Sequence, residues 1–365
     1  MPAPLLLHIY STFAVGGPQV RFAALANHFG RDFRHAVIAM DGNLAARERL
    51  DPSLDVTYPQ VDIGKGDMLG NRARFRATLR ALHPDALVTS NWGSIEWAMA
   101  NTPALVRHIH VEDGFGPEER NQQLSRRVWT RRLLLRRATV AVPSRVLWRL
   151  AEQVWRLPRR HLRYIPNGID LTRFAAPARP PSAIPVIGTV AALRPEKNLA
   201  RLIRAFARVH AQTPCRLVIA GDGPQRPALQ ALAQELGIAG AIAFPGHVSD
   251  TPAMYIGFDI FALSSDTEQM PLSLLEAMAA GLPVAATDVG DVRTMLARDN
   301  AAFVVSAAGD APLAAALAAL LADPRRRDRI GQANRRRAEA EFDEQKMFAA
   351  WHALLAGTLP PVAPL

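Results

Sequence analysis

Thirteen short apolar runs, separated by stretches with helical spacing, constrain this chain more than any other feature. In the first half they read LLLHI, HAVIAM, LDVTY, DALVTS, ALVRHIHV, ATVAVPS and LRYIP. In the second they read PVIGTVAAL, CRLVIAG, AIAFPG, DIFALSS, LPVAATD and AAFVVS. Strands covered by helices on both faces need such near-continuous runs, and the helical stretches between them supply crossover connections. The pattern predicts α/β structure throughout, with one Rossmann-type unit in each half. Length agrees, because 365 residues exceed one ordinary core and suit two domains of about 170 residues. Between the halves, PNGIDLTRFAAPARPPSAIP concentrates Pro, Gly and small residues and breaks every periodicity, which places a boundary near residues 167–184. The expected division is 1–168, 169–342 and a terminal helix within 343–365. That helix carries Met347, Phe348 and Trp351 on an apolar stripe and is expected to pack back towards the first domain.

Charge is distributed unevenly. The chain carries a formal +10, and between Arg107 and Arg163 there are 14 Arg and no Lys against 5 acids. The densest part, LSRRVWTRRLLLRR, interleaves Arg126, Arg127, Arg131, Arg132, Arg136 and Arg137 with Leu, Val and Trp129. A helix lying on an anionic membrane surface has this composition, and so does a solvated face in an arginine-rich protein; both readings stay open. Nucleic acid is not the expected partner, since no zinc-finger spacing, RNA-binding sheet signature or basic zipper accompanies the charge. The first residues, MPAPLLLHIYSTF, lack a positive lead and read as a buried strand rather than a signal peptide. No apolar run reaches the length that spans a bilayer; the Ala/Leu stretch from Ala311 to Ala322 is too short. A cytoplasmic protein, soluble or peripheral at the inner membrane face, is expected. A single cysteine, Cys215, forms no internal disulfide, reads as a small core residue, and belongs to no Cys/His cluster with metal spacing.

Two stretches carry chemistry. In GTVAALRPEKNLARLIRAF, Leu199, Leu202, Ile203 and Phe206 follow the spacing of a core-facing helix with Asn198 as its cap. Arg194 and Lys197 then lie between a strand end and a helix start, where fixed charge, unsatisfied N–H groups and the helix dipole favour a diphosphate. The alternative is two surface cations at an incidental turn. In SSDTEQMPLSLLEAMAAGLPVAATDVG, Pro271 fits the first helical position, and Leu274, Leu275 and Met278 form the buried stripe. Ser273, Glu276 and Ala280 share another face, where a carboxylate among small neighbours can accept two hydrogen bonds from a vicinal diol such as ribose. A solvent-facing or ion-paired Glu276 is the competing reading.

The ordered set RPEKN, VIAGDGPQRPAL, FPGHVSD and SSDTEQMPLSLLEAMAAGLPVAATDVGD strongly resembles the second domain of the retaining glycosyltransferases of family 4, which have the GT-B fold. The likeness spans nearly all of residues 165–345 and, more loosely, the first half. It implies two Rossmann-like domains facing each other across a cleft. It further implies that Arg194 and Lys197 bind the donor diphosphate and that Glu276 binds the nucleotide ribose. Glu268 would contact the donor sugar, helped by amides near Met270, Pro271 and Leu272. Gly221 and Gly223 would let the sheet edge approach the donor, and Val248 would lie near the base. In the first domain, Gly16 and Gly17 would form a glycine loop near phosphate and acceptor, and His110, rather than His108, would lie close to the transferred sugar and act with Glu268 in catalysis. Glu112 and Asp113 stand where many relatives have other residues. The implied activity is retaining, metal-independent transfer from a nucleotide sugar, a UDP-sugar first and GDP-mannose second, to a lipid-linked or envelope saccharide, with no other cofactor. A nucleotide-sugar epimerase of the same fold and a non-catalytic basic membrane protein are the alternatives. A pyridoxal enzyme is disfavoured, because Lys65, Lys197 and Lys346 occupy no recognisable cofactor context.

Overall fold

A computed structural model describes residues 2–64, 66–115, 119, 122–175, 184–248 and 250–359. Lys65, Glu118, Arg120, Ser249 and residues 176–183 of the expected linker lie outside the described residues. The chain forms two compact units, Met1–Pro166 with Lys346–Leu365, and Asn167–Gln345. These breaks fall within three residues of the expected ones.

The first unit holds a parallel sheet built from β1 (Leu5–Tyr10), β2 (Arg34–Ala39), β3 (Val56–Thr57), β4 (Ala86–Ser90), β5 (Arg107–Val111), β6 (Thr139–Val142) and β7 (Leu162–Tyr164), in the order β3-β2-β1-β4-β5-β6-β7. The second holds β8 (Val186–Val190), β9 (Arg216–Ala220), β10 (Ile242–Gly246), β11 (Ile260–Leu263), β12 (Val284–Thr287) and β13 (Val304–Val305), in the order β10-β9-β8-β11-β12-β13. Each of the thirteen apolar runs overlaps one of these strands, and eleven contain theirs whole. The middles of the central strands are fully buried, as Leu6, Leu7 and Ile9 in β1 and Ile260, Phe261 and Ala262 in β11 illustrate, whereas the edge strands β3 and β10 are half-exposed. Cys215 is buried beside Leu217 and Ile219, as a small core residue would be.

The terminal helix Glu344–Ala356 places Met347, Phe348 and Trp351 in one cluster with Leu25, Phe29 and Val111 of the first unit. Arg107 ties it further, donating to the carbonyls of Leu354, at 2.8 Å, and of Leu355. No described helix is long and apolar enough to cross a membrane.

The basic segment folds differently from the expectation that all six arginines share one outer surface. Helix Ser125–Leu134 turns Arg127 and Arg131 inward. The Arg131 guanidinium is 3.1 Å from Glu112 and 3.3 Å from Glu119, and lies about 5 Å over the rings of Trp92, Phe115 and Trp155. Arg127 is 3.0 Å from Glu119 and stacks on Trp92 at 4.8 Å. Two buried carboxylates need buried cations, so these two arginines cannot face a membrane. The segment's charge is partly an internal requirement of the fold.

Candidate active site

In the second sheet β8 and β11 are neighbours, but the chain leaves them in opposite directions, towards β9 and towards β12. At such a switch point the two following loops diverge and leave a crevice at the carboxyl edge of the sheet. Four of the expected donor residues, Arg194, Lys197, Glu268 and Met270, lie on these two loops. Glu276 is on the helix that follows the second loop.

The loop after β8 rests on the loop after β9. Ala191 N donates to Ala220 O at 3.0 Å, and Leu193 N to Asp222 O at 2.9 Å. A Cβ on Gly221, with φ 131°, would stand 1.9 Å from the Ala191 carbonyl oxygen, and one on Gly223 would stand 2.7 Å from that of Leu193. Backbone packing between two loops therefore demands these glycines, a different reason from the expected approach to a ligand. Beyond them Arg194 is exposed and forms no ion pair with a described residue. The turn Pro195–Lys197 ends at Asn198, in the left-handed region with φ 41°, whose side chain caps helix Leu199–His210 by accepting from Arg201 N at 3.2 Å. A short polar side chain tolerates that conformation and caps from it.

Lys197 and Glu268, assigned above to different parts of a donor, touch each other. Lys197 Nζ is 2.6 Å from Glu268 Oε1, and Ser265 Oγ donates to the same oxygen at 2.7 Å. Thr189, Ala191 and Ser273 line the same crevice. Buried Arg201 and Asp266, which sequence reasoning did not single out, hold the two loops together. Arg201 donates to Ser264 O and to Asp266 Oδ1, both at 2.7 Å, and Asn198 Nδ2 donates to Asp266 at 3.0 Å. An arginine in the first helical turn and an acid two residues before Glu268 were the available signals. Gly290, with φ 55°, lies under the Glu268 turn; a Cβ there would be 2.2 Å from the Glu268 carbonyl oxygen.

Pro271 is the N-cap of helix Leu272–Ala279 rather than its first residue. It has no N–H, so it cannot supply one of the expected amide contacts. No side chain caps this helix, which leaves the Leu272 and Ser273 amides as donors at its start. Met270 is buried, and its carbonyl accepts from Asn167 Nδ2 at 3.0 Å, which fixes the turn into the helix. Glu276 is partly exposed. Burial pushes its carboxyl pKa up, opposed by a hydrogen bond from Tyr255 and by the charge of Arg173. The Tyr255 hydroxyl donates to Glu276 Oε2 at 2.6 Å, leaving the other oxygen for a ligand. Nothing in the sequence spacing announces this bond. Val248 lies half-buried just beyond β10.

In the first unit, Gly16 precedes and Gly17 opens helix Gly17–Phe29. Gly16 is extended, and a Cβ there would stand 2.9 Å from the Gln19 side-chain oxygen, which would have to shift, whereas one on Gly17 would meet nothing within 4 Å, so the fold does not require Gly17. His108 and His110 share a face as alternation predicts, for Thr89 Oγ1 lies 2.8 Å from both His108 Nε2 and His110 Nδ1. One hydroxyl has one proton. If Thr89 donates to His110 Nδ1 it accepts from His108, and His110 Nε2 then carries a hydrogen towards Glu112 Oε2 at 3.6 Å. Burial, then the neighbouring His110, pushes His108 down to about 3. His110 is 0% exposed, with Glu112 Oε2 3.6 Å from its Nε2 and Arg131 paired to that same oxygen, so contact with a sugar would require these side chains to move. Asp113 is held by Arg21 in a two-pronged pair at 2.6 and 2.8 Å.

The comparisons with known proteins bear on both units. The family model described as Glycosyltransferase Family 4 matches residues 15–173, and that described as Glycosyl transferases group 1 matches residues 174–337. A D-inositol 3-phosphate glycosyltransferase from Nocardia farcinica is 30% identical over 64% of this chain and 54% of its own length. A GDP-mannose-dependent alpha-(1-6)-phosphatidylinositol monomannoside mannosyltransferase from Mycolicibacterium smegmatis is 31% identical over 55% of this chain and 57% of its own. The chain spans about half the length of the curated relatives it matches. Among solved structures, HepE of Anabaena in complex with UDP superposes with a TM-score of 0.81 at 18% identity, covering 96% of this chain and 99% of that one. Two Rossmann-like units with the same strand order, matched in sequence over both halves, place this chain among the group 1 glycosyltransferases of the GT-B fold.

Proposed function

We propose that this chain transfers a sugar from a nucleoside diphosphate sugar to a lipid-linked or cell-envelope saccharide, with retention of configuration and without a metal. The observation that carries the reading is the meeting of Lys197 and Glu268 at 2.6 Å in the crevice between β8 and β11, with Arg194 and Glu276 on the flanking segments. Arg194, Lys197 and the open helix start at Leu272 would bind the diphosphate and stabilise the negative charge that grows on it as the sugar leaves. These fixed charges do what a metal ion would do. Glu276 would accept from the ribose hydroxyls through the oxygen that Tyr255 leaves free. A diphosphate arriving at Lys197 would compete for the ammonium that Glu268 now holds, and Glu268 would then turn to the sugar hydroxyls. Retention follows if the departing phosphate takes the proton of an acceptor hydroxyl that attacks from its own face.

A UDP-sugar is the first donor reading. GDP-mannose is the second, supported by the activity for which the mannosyltransferase relative is named. Placement at the inner face of the cytoplasmic membrane follows from a lipid-borne acceptor. The deciding experiment incubates the protein with labelled UDP- and GDP-sugars and a membrane lipid extract in the presence of a chelator, and reads transfer and the anomeric coupling of the product. Transfer to lipid with retention, and about 100-fold slower transfer by Lys197→Ala, is expected. Free sugar as the only product, an inverted anomer, or dependence on added metal would overturn the proposal.

A further inference from the structure

With Arg127 and Arg131 used inside the fold, the outward face of helix Ser125–Leu134 becomes a distinct surface. At about 100° per residue, Arg126, Trp129, Arg132 and Leu133 fall within an arc of about 120°, and Arg127 and Arg131 point away from it. Trp129 is 58% exposed and Leu133 72%. Arg126 is exposed, Arg132 lies with its guanidinium 5.0 Å over the Trp129 ring, and the turn after the helix exposes Arg136 and Arg137. No acid occurs from Gln122 to Arg137, and the next one along the chain, Glu152, is taken by Arg159.

Helix stability does not account for this arrangement. Arg126 sits in the first turn, where a cation opposes the helix dipole. Trp129 and Leu133 leave apolar surface in water, where burial would be favourable. Four cations around an exposed Trp–Leu pair, with no acid among them, match a surface that is negative and apolar beneath. Indole rings sit at the headgroup level, aliphatic side chains enter the acyl boundary, and guanidinium groups bind lipid phosphates.

We propose that this face docks the first unit on an anionic bilayer, with Trp129 and Leu133 in the headgroup boundary and Arg126, Arg132, Arg136 and Arg137 on lipid phosphates. The surface deepens the proposed function by naming how a lipid-borne acceptor is reached. Its test is independent of donor chemistry, so the two can fail separately.

The full chain is mixed with vesicles of phosphatidylcholine alone, or of phosphatidylcholine with phosphatidylglycerol, and binding is read by flotation and by tryptophan emission. Binding to the anionic vesicles alone is expected, weakening with salt, with a blue shift absent from Trp129→Phe. Replacing the four outward arginines by Gln should lower the partition coefficient by about 100-fold or more. Trp129→Ser with Leu133→Ser should lower it by about tenfold and keep its salt dependence. All six positions are at the surface, so thermal midpoints should not move, and each variant's response to UDP reports the donor site separately. Equal binding to neutral vesicles, anionic binding unchanged in the arginine variant, or retention on single-stranded RNA without any vesicle binding would overturn the proposal.

Discussion

The two units share the strand order 3-2-1-4-5-6, yet they treat their polar side chains in opposite ways at the carboxyl edge. In the first unit most edge groups pair with one another, although His110 Nε2 and Glu112 Oε1 are buried without a hydrogen-bond partner among the described residues. Arg21 grips Asp113, Asn91 accepts from the Asp113 amide at 2.7 Å, and Thr89 bridges two histidines. Behind them Arg131 neutralises Glu112 and Glu119 in the interior. In the second unit the groups are mounted but not saturated: Arg194 has no described ion pair, and Glu268 and Glu276 each engage one oxygen. Topology fixes where loops diverge, whereas the residues after the strands decide whether that place becomes structure or a ligand site.

The sharpest way to break this comparison is to remove Arg131. Buried Glu112 would be left without its cation and Glu119 with Arg127 alone, a loss of about 3–5 kcal/mol, read as a lower denaturation midpoint of the first unit. Lys197→Ala, at a partly exposed site, should barely move stability while removing the nucleotide response. Stability loss of similar size in both variants would erase the distinction drawn between the units.

Acid should separate the units next. His8 Nε2 and His35 Nδ1 are 3.1 Å apart in a buried site. Burial pushes His35 down from 6.5 to about 4 and His8 well below its ordinary value. The fold thus prefers the neutral rings. Their contribution is complete above pH 6.5 and is lost as pH falls towards 4, on the order of 3 kcal/mol for His35 alone. Hydrogen exchange between pH 7 and 4 should show the first unit loosening first. An acid transition that begins in the second unit would contradict this.

In the second unit, Gly290→Ala would put a methyl group against the Glu268 carbonyl in a left-handed conformation. A cost of about 1–3 kcal/mol is expected, together with weaker UDP binding by calorimetry as the Glu268 turn shifts. Full UDP affinity with lowered stability would detach that turn from the site.

These contrasts mark what the residues announce and what they conceal. Strands declare themselves because each is a continuous apolar run between breakers, so all thirteen are legible. Arg194, Lys197, Glu268 and Glu276 stand out as candidates because cations and acids at strand ends, or in an apolar helix, have no evident packing role there. Arg127 and Arg131 were misassigned because interleaved arginine looks the same whether its partners are lipid phosphates or buried acids; the partner Glu119 is 12 residues away from Arg131 and Glu112 is 19. The burial of His110 was not legible for a related reason, since a strand's carboxyl end is open only if nothing folds over it. Tyr255 could not be found because its bond to Glu276 spans 21 residues.

Tyr255→Phe gives the smallest and most specific test. The substitution deletes one oxygen from a buried ring and leaves packing nearly intact, so the loss is the hydroxyl's bond to the Glu276 carboxylate and its weaker contact with the Ser273 carbonyl, about 3- to 10-fold in nucleotide affinity. A structural role alone would lower the thermal midpoint and weaken UDP and 2'-deoxy-UDP equally. If the hydroxyl positions Glu276 for a diol, the preference for the ribonucleotide should shrink instead. The pH profile adds a second sign. Tyr255 holds the Glu276 carboxyl down against the burial that raises it, so without the hydroxyl the carboxyl titrates at higher pH and acid should abolish UDP binding sooner. In the empty fold the raised carboxyl has the opposite effect, contributing stability below its unfolded pKa and losing it as pH rises through the folded one. An unchanged ribose preference with an unmoved acid limb would leave Tyr255 as packing and return Glu276 to the status of an ordinary half-buried acid.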